Sequence, residues 1–221
     1  MNPILQYRDL VEIPVRESGE PMMVVQKFAP EILCRYEKMD MVPYLGNLFV
    51  LREGAMQRLK QAAKALRDEH PPFILRLAYA YRHPDVQRAY FEKKKKEIAA
   101  KNPSLSNEEL VACTHLLVAS PDVAGHPTGG AIDVTIMDGE KDLNMGSGIA
   151  DFSSDKIKTF AEGLTASQRN NRDLLRRMLM DAGFAPFNGE WWHFSYGDRE
   201  WAAYTRQPEA LYDQIAYGNK K

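Results

Sequence analysis

The sequence predicts an α+β fold: a single domain over residues 1–221 in which a central, mostly antiparallel sheet is flanked by helices. Three observations predict it. Segments with strand and helix periods occur in mixed order, without the regular strand–helix alternation of a parallel sheet. No internal repeat or low-complexity linker divides the 221 residues, a length that supports one sizeable core. Apolar residues make up 44% and charged residues 27%, ordinary proportions for a globular chain.

The elements follow in chain order. The first fifty residues read as an irregular segment packed on the domain, because Pro3, Pro14, Pro21, Pro30 and Pro43 interrupt any long element. Residues 52–69 carry Met56, Leu59, Ala62, Ala63 and Leu66 at helical spacing, and Pro71-Pro72 ends the helix. Residues 73–81 alternate as a strand, with Phe73, Leu75, Leu77, Tyr79 and Tyr81 expected on one side. Pro84 suits a first helical turn, so residues 85–100 read as a helix whose Lys93–Lys96 run is a solvated face. Ser106 to Glu109 and Thr165 to Gln168 are capping boxes that open two more helices, the second stopped at Gly183. Residues 131–136 alternate with Ile132, Val134 and Ile136 on one face and Ala131, Asp133 and Thr135 on the other. A strand of this kind buries its aliphatic side and presents Asp133 to a cleft. Residues 191–196 are aromatic and strand-like.

Charge and composition exclude several functions. Lys and Arg total 29 against 30 Asp and Glu, a net charge of -1, which argues against nucleic acid or an anionic membrane as the main partner. No apolar run approaches the roughly 20 residues of a membrane span. Residues 1–20 carry Asp9, Glu12, Arg16 and Glu17 among their apolar residues, so no secretory signal and a cytoplasmic location are expected. Cys34 and Cys113 are far apart and read as free thiols; any metal must use His and carboxylate.

Of the five histidines, His70 reads as a helix-end cap, His83 as a helix-start residue and His115 as a satisfied buried histidine. His126 and His193 differ. Asp133 follows His126 by seven places, and Gly129-Gly130 between them permits a turn that brings both side chains to one point. Asp133 lies among apolar neighbours, where a bare carboxylate is costly; its partner is either a metal or an Arg or Lys. Glu190 precedes His193 by three residues. In a strand those two would face opposite ways, so Glu190 shares a site with His193 only if it sits on a turn before the strand, for which Asn188-Gly189 is suited. Otherwise Glu190 pairs with a surface Arg. Two His and one Asp make three protein ligands, the number a catalytic zinc keeps, and Glu190 is then the group that takes a proton from water.

These segments resemble those of the zinc D-Ala-D-Ala dipeptidases, which include the vancomycin-resistance dipeptidases, within the M15 clan of D,D-carboxypeptidases and peptidoglycan endopeptidases. The pattern S-x-H-x-x-G-x-A-x-D is matched at residues 124–133, with Ala124 in place of the serine. The pattern E-W-W-H-[FY]-S-Y-G-D is matched in full by Glu190 to Asp198, with Trp201 following, and Tyr81-Arg82 and Asn144-Met145-Gly146 match as well. The likeness spans roughly residues 50–205. It implies a zinc cleft with one Zn(2+) held by His126, Asp133 and His193. It implies Glu190 as the catalytic base and Arg82 beside the scissile carbonyl, stabilising the developing oxyanion. The substrate implied is a short D-amino-acid dipeptide such as D-alanyl-D-alanine, with Tyr81, Ser147, Asp151 and Trp192 expected to bind it. The family's acid that holds the substrate's free amino terminus falls in register on Ala150, so Asp151, one place later, is expected to take over that task. Two alternatives stand beside this reading: a D,D- or L,D-carboxypeptidase acting on peptidoglycan peptides, and a zinc-bearing interaction domain without turnover.

Overall fold

The computed structural model describes residues 4–218 of the chain. The termini of the expected 1–221 domain, including Pro3, lie outside the described residues. In chain order the elements are α1 (Tyr7–Leu10), β1 (Met22–Val24), α2 (Val25–Phe28), β2 (Leu33–Cys34), α3 (Val42–Leu45), β3 (Val50–Arg52), α4 (Glu53–Glu69), β4 (Phe73–Tyr79), α5 (Pro84–Lys101), α6 (Asn107–His115), β5 (Ala131–Asp138), β6 (Lys141–Asp142), α7 (Ala166–Asp181), β7 (Ala185–Pro186), β8 (His193–Ser195) and α8 (Arg199–Thr205).

The main sheet has the order β2-β4-β5-β8-β7, with β6 paired to β5 beyond the end of β8. Among the described strands of this sheet, β2 and β4 run parallel and the other pairs are antiparallel. The fold is therefore the α+β arrangement that the mixed periods predict. The first fifty residues are less irregular than their prolines suggest. Residues 22–24 pair with β3 in a separate two-stranded sheet, and Leu33–Cys34 adds an edge to the main one. Pro21, Pro30 and Pro43 fall at the boundaries of these short elements, where a missing N–H costs little.

The core forms on one face of the sheet. Met56, Leu59, Ala62, Ala63 and Leu66 of α4 and Leu175, Met178 and Leu179 of α7 pack with Leu75, Leu77, Ile132, Val134 and Ile136. The capping boxes at Ser106 and Thr165 are both formed, each side-chain oxygen accepting from the backbone N–H three residues on. No helix among the described residues is long and apolar enough to cross a membrane.

One strand departs from its expected pattern. The pairing of β4 with β5 slips between Leu77 and Tyr79, so Leu77 faces Val134 and Tyr79 faces Asp133. An extra residue in one strand reverses the alternation beyond it. Phe73, Leu75 and Leu77 belong to the main core, whereas Tyr79 and Tyr81 pack with Met41 and Val50 in a second apolar cluster. The strand was expected to keep all five residues on one side. The bulge instead places Tyr79 beside the functional residues that follow.

Candidate metal centre

Three side chains converge on the face of β5 opposite the main core. His126, Asp133 and His193 are each buried, and one ligand atom from each lies within 4.8 Å of the others. Sheet register supplies half of this arrangement, because Asp133 and His193 are directly paired across β5 and β8. Residues directly opposite in a ladder have neighbouring side chains on the same face. Asp133 Oδ1 lies 3.0 Å from His193 Nδ1.

The turn before β5 supplies the other half. His126–Thr128 forms one turn of 3-10 helix, closed by Gly129 at φ +78°. A side chain is strained there, and a Cβ at Gly130 would overlap the Tyr196 carbonyl oxygen. The two glycines thus let the chain reverse against β8 and bring His126 Nε2 to 3.4 Å from Asp133 Oδ1. Buried Arg52 fastens the turn from outside: its Nε donates to the Thr128 carbonyl at 3.0 Å, and its guanidinium pairs with Glu17 at 3.1 Å.

The donor chemistry fits a zinc ion. The Ala80 carbonyl can only accept, so His126 Nδ1, 2.6 Å away, carries the proton and Nε2 offers its lone pair. Two imidazole nitrogens and a carboxylate oxygen are ligands that zinc takes, with a fourth position left open. Electrostatics agree. Although burial opposes ionisation, His126 and His193 hold Asp133 well below the usual carboxylate range. Burial pushes His126 below its ordinary value, which keeps it neutral.

Glu190 sits on the turn before β8, where the spacing required it. Its N–H donates to the Phe187 carbonyl and its own carbonyl accepts from His193 N–H, both at 3.2 Å. This turn allows residues three apart to face one cleft, which a continuous strand would forbid. Burial pushes Glu190 up to about 7, outweighing the opposing pull of His193. A carboxylate with that affinity takes and returns protons readily near neutrality.

His126, Asp133, His193, Glu190 and Arg82 line one cleft of about 390 Å³. Arg82 is braced on several sides. Its backbone N–H donates to the His126 carbonyl at 3.2 Å, and its Nη1 donates to Gln87 Oε1 at 2.7 Å. Its guanidinium lies over the rings of Tyr79, at 4.6 Å, and Tyr90, at 5.5 Å. Both tyrosine hydroxyls donate to Asp40. Asp40 and Tyr90 went unremarked at the level of sequence and Tyr79 was read only as a strand residue, because only the β4 bulge and the packing of α5 bring them together.

The expected substrate-binding residues divide. Trp192 lines the cleft. Tyr81 does not: its hydroxyl donates to the Ile215 carbonyl at 2.6 Å and accepts from Tyr217 N–H at 2.8 Å, inside the second apolar cluster. Ser147 also lies outside the cleft, its hydroxyl accepting from Trp191 Nε1 at 3.0 Å and donating to the Lys156 carbonyl. Asp151 turns back on its own loop, where Oδ1 accepts from Ser153 N–H and Oγ. Ala150, held at φ +56°, lines the cleft in its place. The mouth also carries Lys38, Lys93 and Lys94, so part of the lysine run borders the cleft and is not purely a solvated face. His83 caps α5, its Nδ1 accepting from Asp85 N–H at 3.2 Å. His115, satisfied by Ser120 N–H as expected of a buried histidine, also borders the cleft.

Comparison with known proteins adds the following. A family model described as D-ala-D-ala dipeptidase, Peptidase M15, matches residues 44–211. A D-alanyl-D-alanine dipeptidase from Synechocystis sp. is 27% identical over 230 aligned positions that cover 93% of each chain. A D-alanyl-D-alanine dipeptidase from Enterococcus faecalis is 32% identical over 98 positions, covering 43% of this chain and 46% of that one. Among solved structures, the LdcB LD-carboxypeptidase is 18% identical with a TM-score of 0.49, covering 87% of this chain and 74% of that one.

Proposed function

The chain belongs to the M15 peptidase family of D-Ala-D-Ala dipeptidases, and on that premise we propose that it is a zinc-dependent hydrolase of D-alanyl-D-alanine. The observation that carries this reading is the meeting of His126, Asp133, His193, Glu190 and Arg82 at one cleft. His126 Nε2, Asp133 and His193 Nδ1 would hold the zinc, which would supply Lewis acidity for the scissile carbonyl and a lowered pKa for water.

The protein's own residues do the rest. Glu190 takes the proton of the attacking water and delivers it to the leaving amine, a task matched to its position near neutrality. Arg82 keeps its charge and is fixed by Gln87 and two tyrosine faces, so it meets negative charge on the carbonyl oxygen without first reorganising. Trp192 and Phe187 wall the cleft with apolar surface, limiting water around the reacting groups. Replacing Glu190 by Ala should lower kcat by about 10²–10⁴ while zinc stays bound. Full activity without Glu190 would remove it from the chemistry, and no D-peptidase activity in the zinc-loaded wild type would favour the interaction-domain reading.

A second reading draws on one specific observation. Asp151 bonds to Ser153 and Ala150 lines the cleft, so Asp151 does not offer its carboxylate to a free amine there. That arrangement suits a carboxypeptidase cleaving longer, N-blocked wall peptides. Hydrolysis of D-Ala-D-Ala against N-acetyl-D-Ala-D-Ala separates the two. The dipeptidase reading expects the free dipeptide to be preferred; preference for the acetylated substrate overturns it.

A further inference from the structure

Glu200 is the second residue of α8, the short helix that follows β8. Asp198 caps that helix, its Oδ1 accepting from Trp201 N–H at 2.8 Å. The cap turns the chain sharply back beneath β8 and aims Glu200 inward. The residue is 8% exposed, and its Oε2 is wholly buried. That oxygen lies at an ion-pair distance of 3.3 Å from His193 Nε2 and makes no well-aligned hydrogen bond with any described residue. A buried carboxylate in such a place is costly unless a neighbour donates to it, and His193 is the group at ion-pair distance.

The chemistry of the ring decides which nitrogen does so. An imidazole that binds zinc is neutral and carries one N–H, and an ionised carboxylate only accepts. A proton on Nε2 satisfies Glu200 and leaves Nδ1 bare, 3.0 Å from Asp133 Oδ1. His126 is arranged in the mirror sense, its Nδ1 proton directed at the Ala80 carbonyl and its Nε2 free. Each histidine therefore has one edge tied to a fixed acceptor and the other turned to the common point.

We infer that Glu200 is a positioning residue of the metal centre, holding His193 as the Nε2–H tautomer so that Nδ1 is presented beside His126 Nε2 and Asp133. The inference rests on the reading of these three residues as zinc ligands. Histidines that bind metals commonly donate their second N–H to a carboxylate, and loss of such a partner weakens metal binding about 10–100-fold. Glu200 does not join the ligand cluster itself, because it lies on the far edge of the ring.

The test uses the full chain loaded with zinc, with two readouts besides activity. Chelator competition gives the zinc affinity, and long-range ¹H–¹⁵N NMR reports the His193 ring protons. Glu200→Leu should lower zinc affinity about 10–100-fold and shift or broaden the His193 Nε2–H signal through exchange with water. Glu200→Gln, whose amide oxygen still accepts, should keep that signal and lose less affinity. It also keeps the test alive if the leucine variant fails to fold. Unchanged affinity and an unmoved Nε2–H signal in Glu200→Leu would overturn the inference, as would His193 protonated on Nδ1 in the wild type. If the wild type takes up no zinc, the zinc reading fails. Protection of the His193 Nε2–H from exchange in the wild type and Glu200→Gln, and its loss in Glu200→Leu, then still decides whether Glu200 holds the ring; equal exchange in all three overturns that.

Discussion

The floor of the cleft and its wall are built by different means. The floor is β5, β8 and the tight turn before β5, and it holds His126, Asp133 and His193 through ladder register and two glycines. The wall is the segment from residue 144 to 165, largely without regular structure, and it carries Ala150 and Phe152. Its base gathers around one buried cation, beside backbone bonds from Trp191 N–H to the Ile157 carbonyl at 2.9 Å and from Thr159 N–H to the Asn188 carbonyl at 3.1 Å. Arg172 of α7 donates to the carbonyls of Met145, Lys156, Lys158 and Thr159 at 2.6–3.2 Å. A ladder places side chains by geometry that a single substitution leaves intact. A loop gathered around a cation loses four carbonyl partners when that cation is removed. The difference teaches that the ligand cluster stands on a rigid element, while Ala150 and Phe152 stand on one that is easier to replace.

The largest expected effect breaks the floor. Asp133→Ala removes one of three ligands, so zinc retained after dialysis should fall to about a tenth or less of the wild-type content, with activity falling alongside. The check is atomic absorption on the purified chain, and full zinc content would show that the floor does not bind metal as described. Next is the wall. Arg172→Met should cost about 3 kcal/mol in urea unfolding, because it leaves several carbonyls without their donor. It should raise KM more than it lowers kcat, since the floor keeps its register. Equal damage to zinc content would erase the distinction between the two regions.

A smaller effect follows from Glu190. Its carboxyl is raised from the ordinary 4.5 to about 7 in the folded chain without metal. Between those values the folded state binds more protons than the unfolded state, so this group's contribution to stability is lost as pH rises through that window. In chelator-treated protein, the stability gap between wild type and Glu190→Gln should therefore change in the wild type's disfavour from pH 4.5 to 7. Urea midpoints measured across the window check it, and a constant gap would contradict it. The smallest effect concerns Asp151. Its carboxylate serves Ser153, so Asp151→Asn should change KM for D-Ala-D-Ala by less than about twofold, within the range of an ordinary surface substitution. A tenfold rise would mean that the wall turns Asp151 into the cleft when substrate binds.

Much of the floor was legible beforehand. The apolar alternation of residues 131–136 put Asp133 opposite Ile132 and Val134, and Gly129-Gly130 announced the turn that brings His126 round. The need for Glu190 to leave the strand followed from a period of two. The wall was not legible, because local sequence says nothing about where an aspartate in an irregular loop will point. Ser147 and Tyr81 were misplaced for the same reason: motif adjacency brought them to notice, while their hydroxyls are used up by Trp191 and Lys156 in one case and by Ile215 and Tyr217 in the other.

The amino-acid sequence by itself determined the local chemistry: which residues offer nitrogen or oxygen donors, which positions can turn sharply, and which face of each periodic element is apolar. These are properties of neighbours in the chain, set by backbone geometry and side-chain type. Only the tertiary structure decided the rest. The β4 bulge carried Tyr79 to Arg82, the cap at Asp198 drove Glu200 against His193, and Arg172 drew a loop of carbonyls around one guanidinium. Each of these joins groups through packing or through hydrogen bonds whose partners must be buried together, and burial is a property of the folded whole.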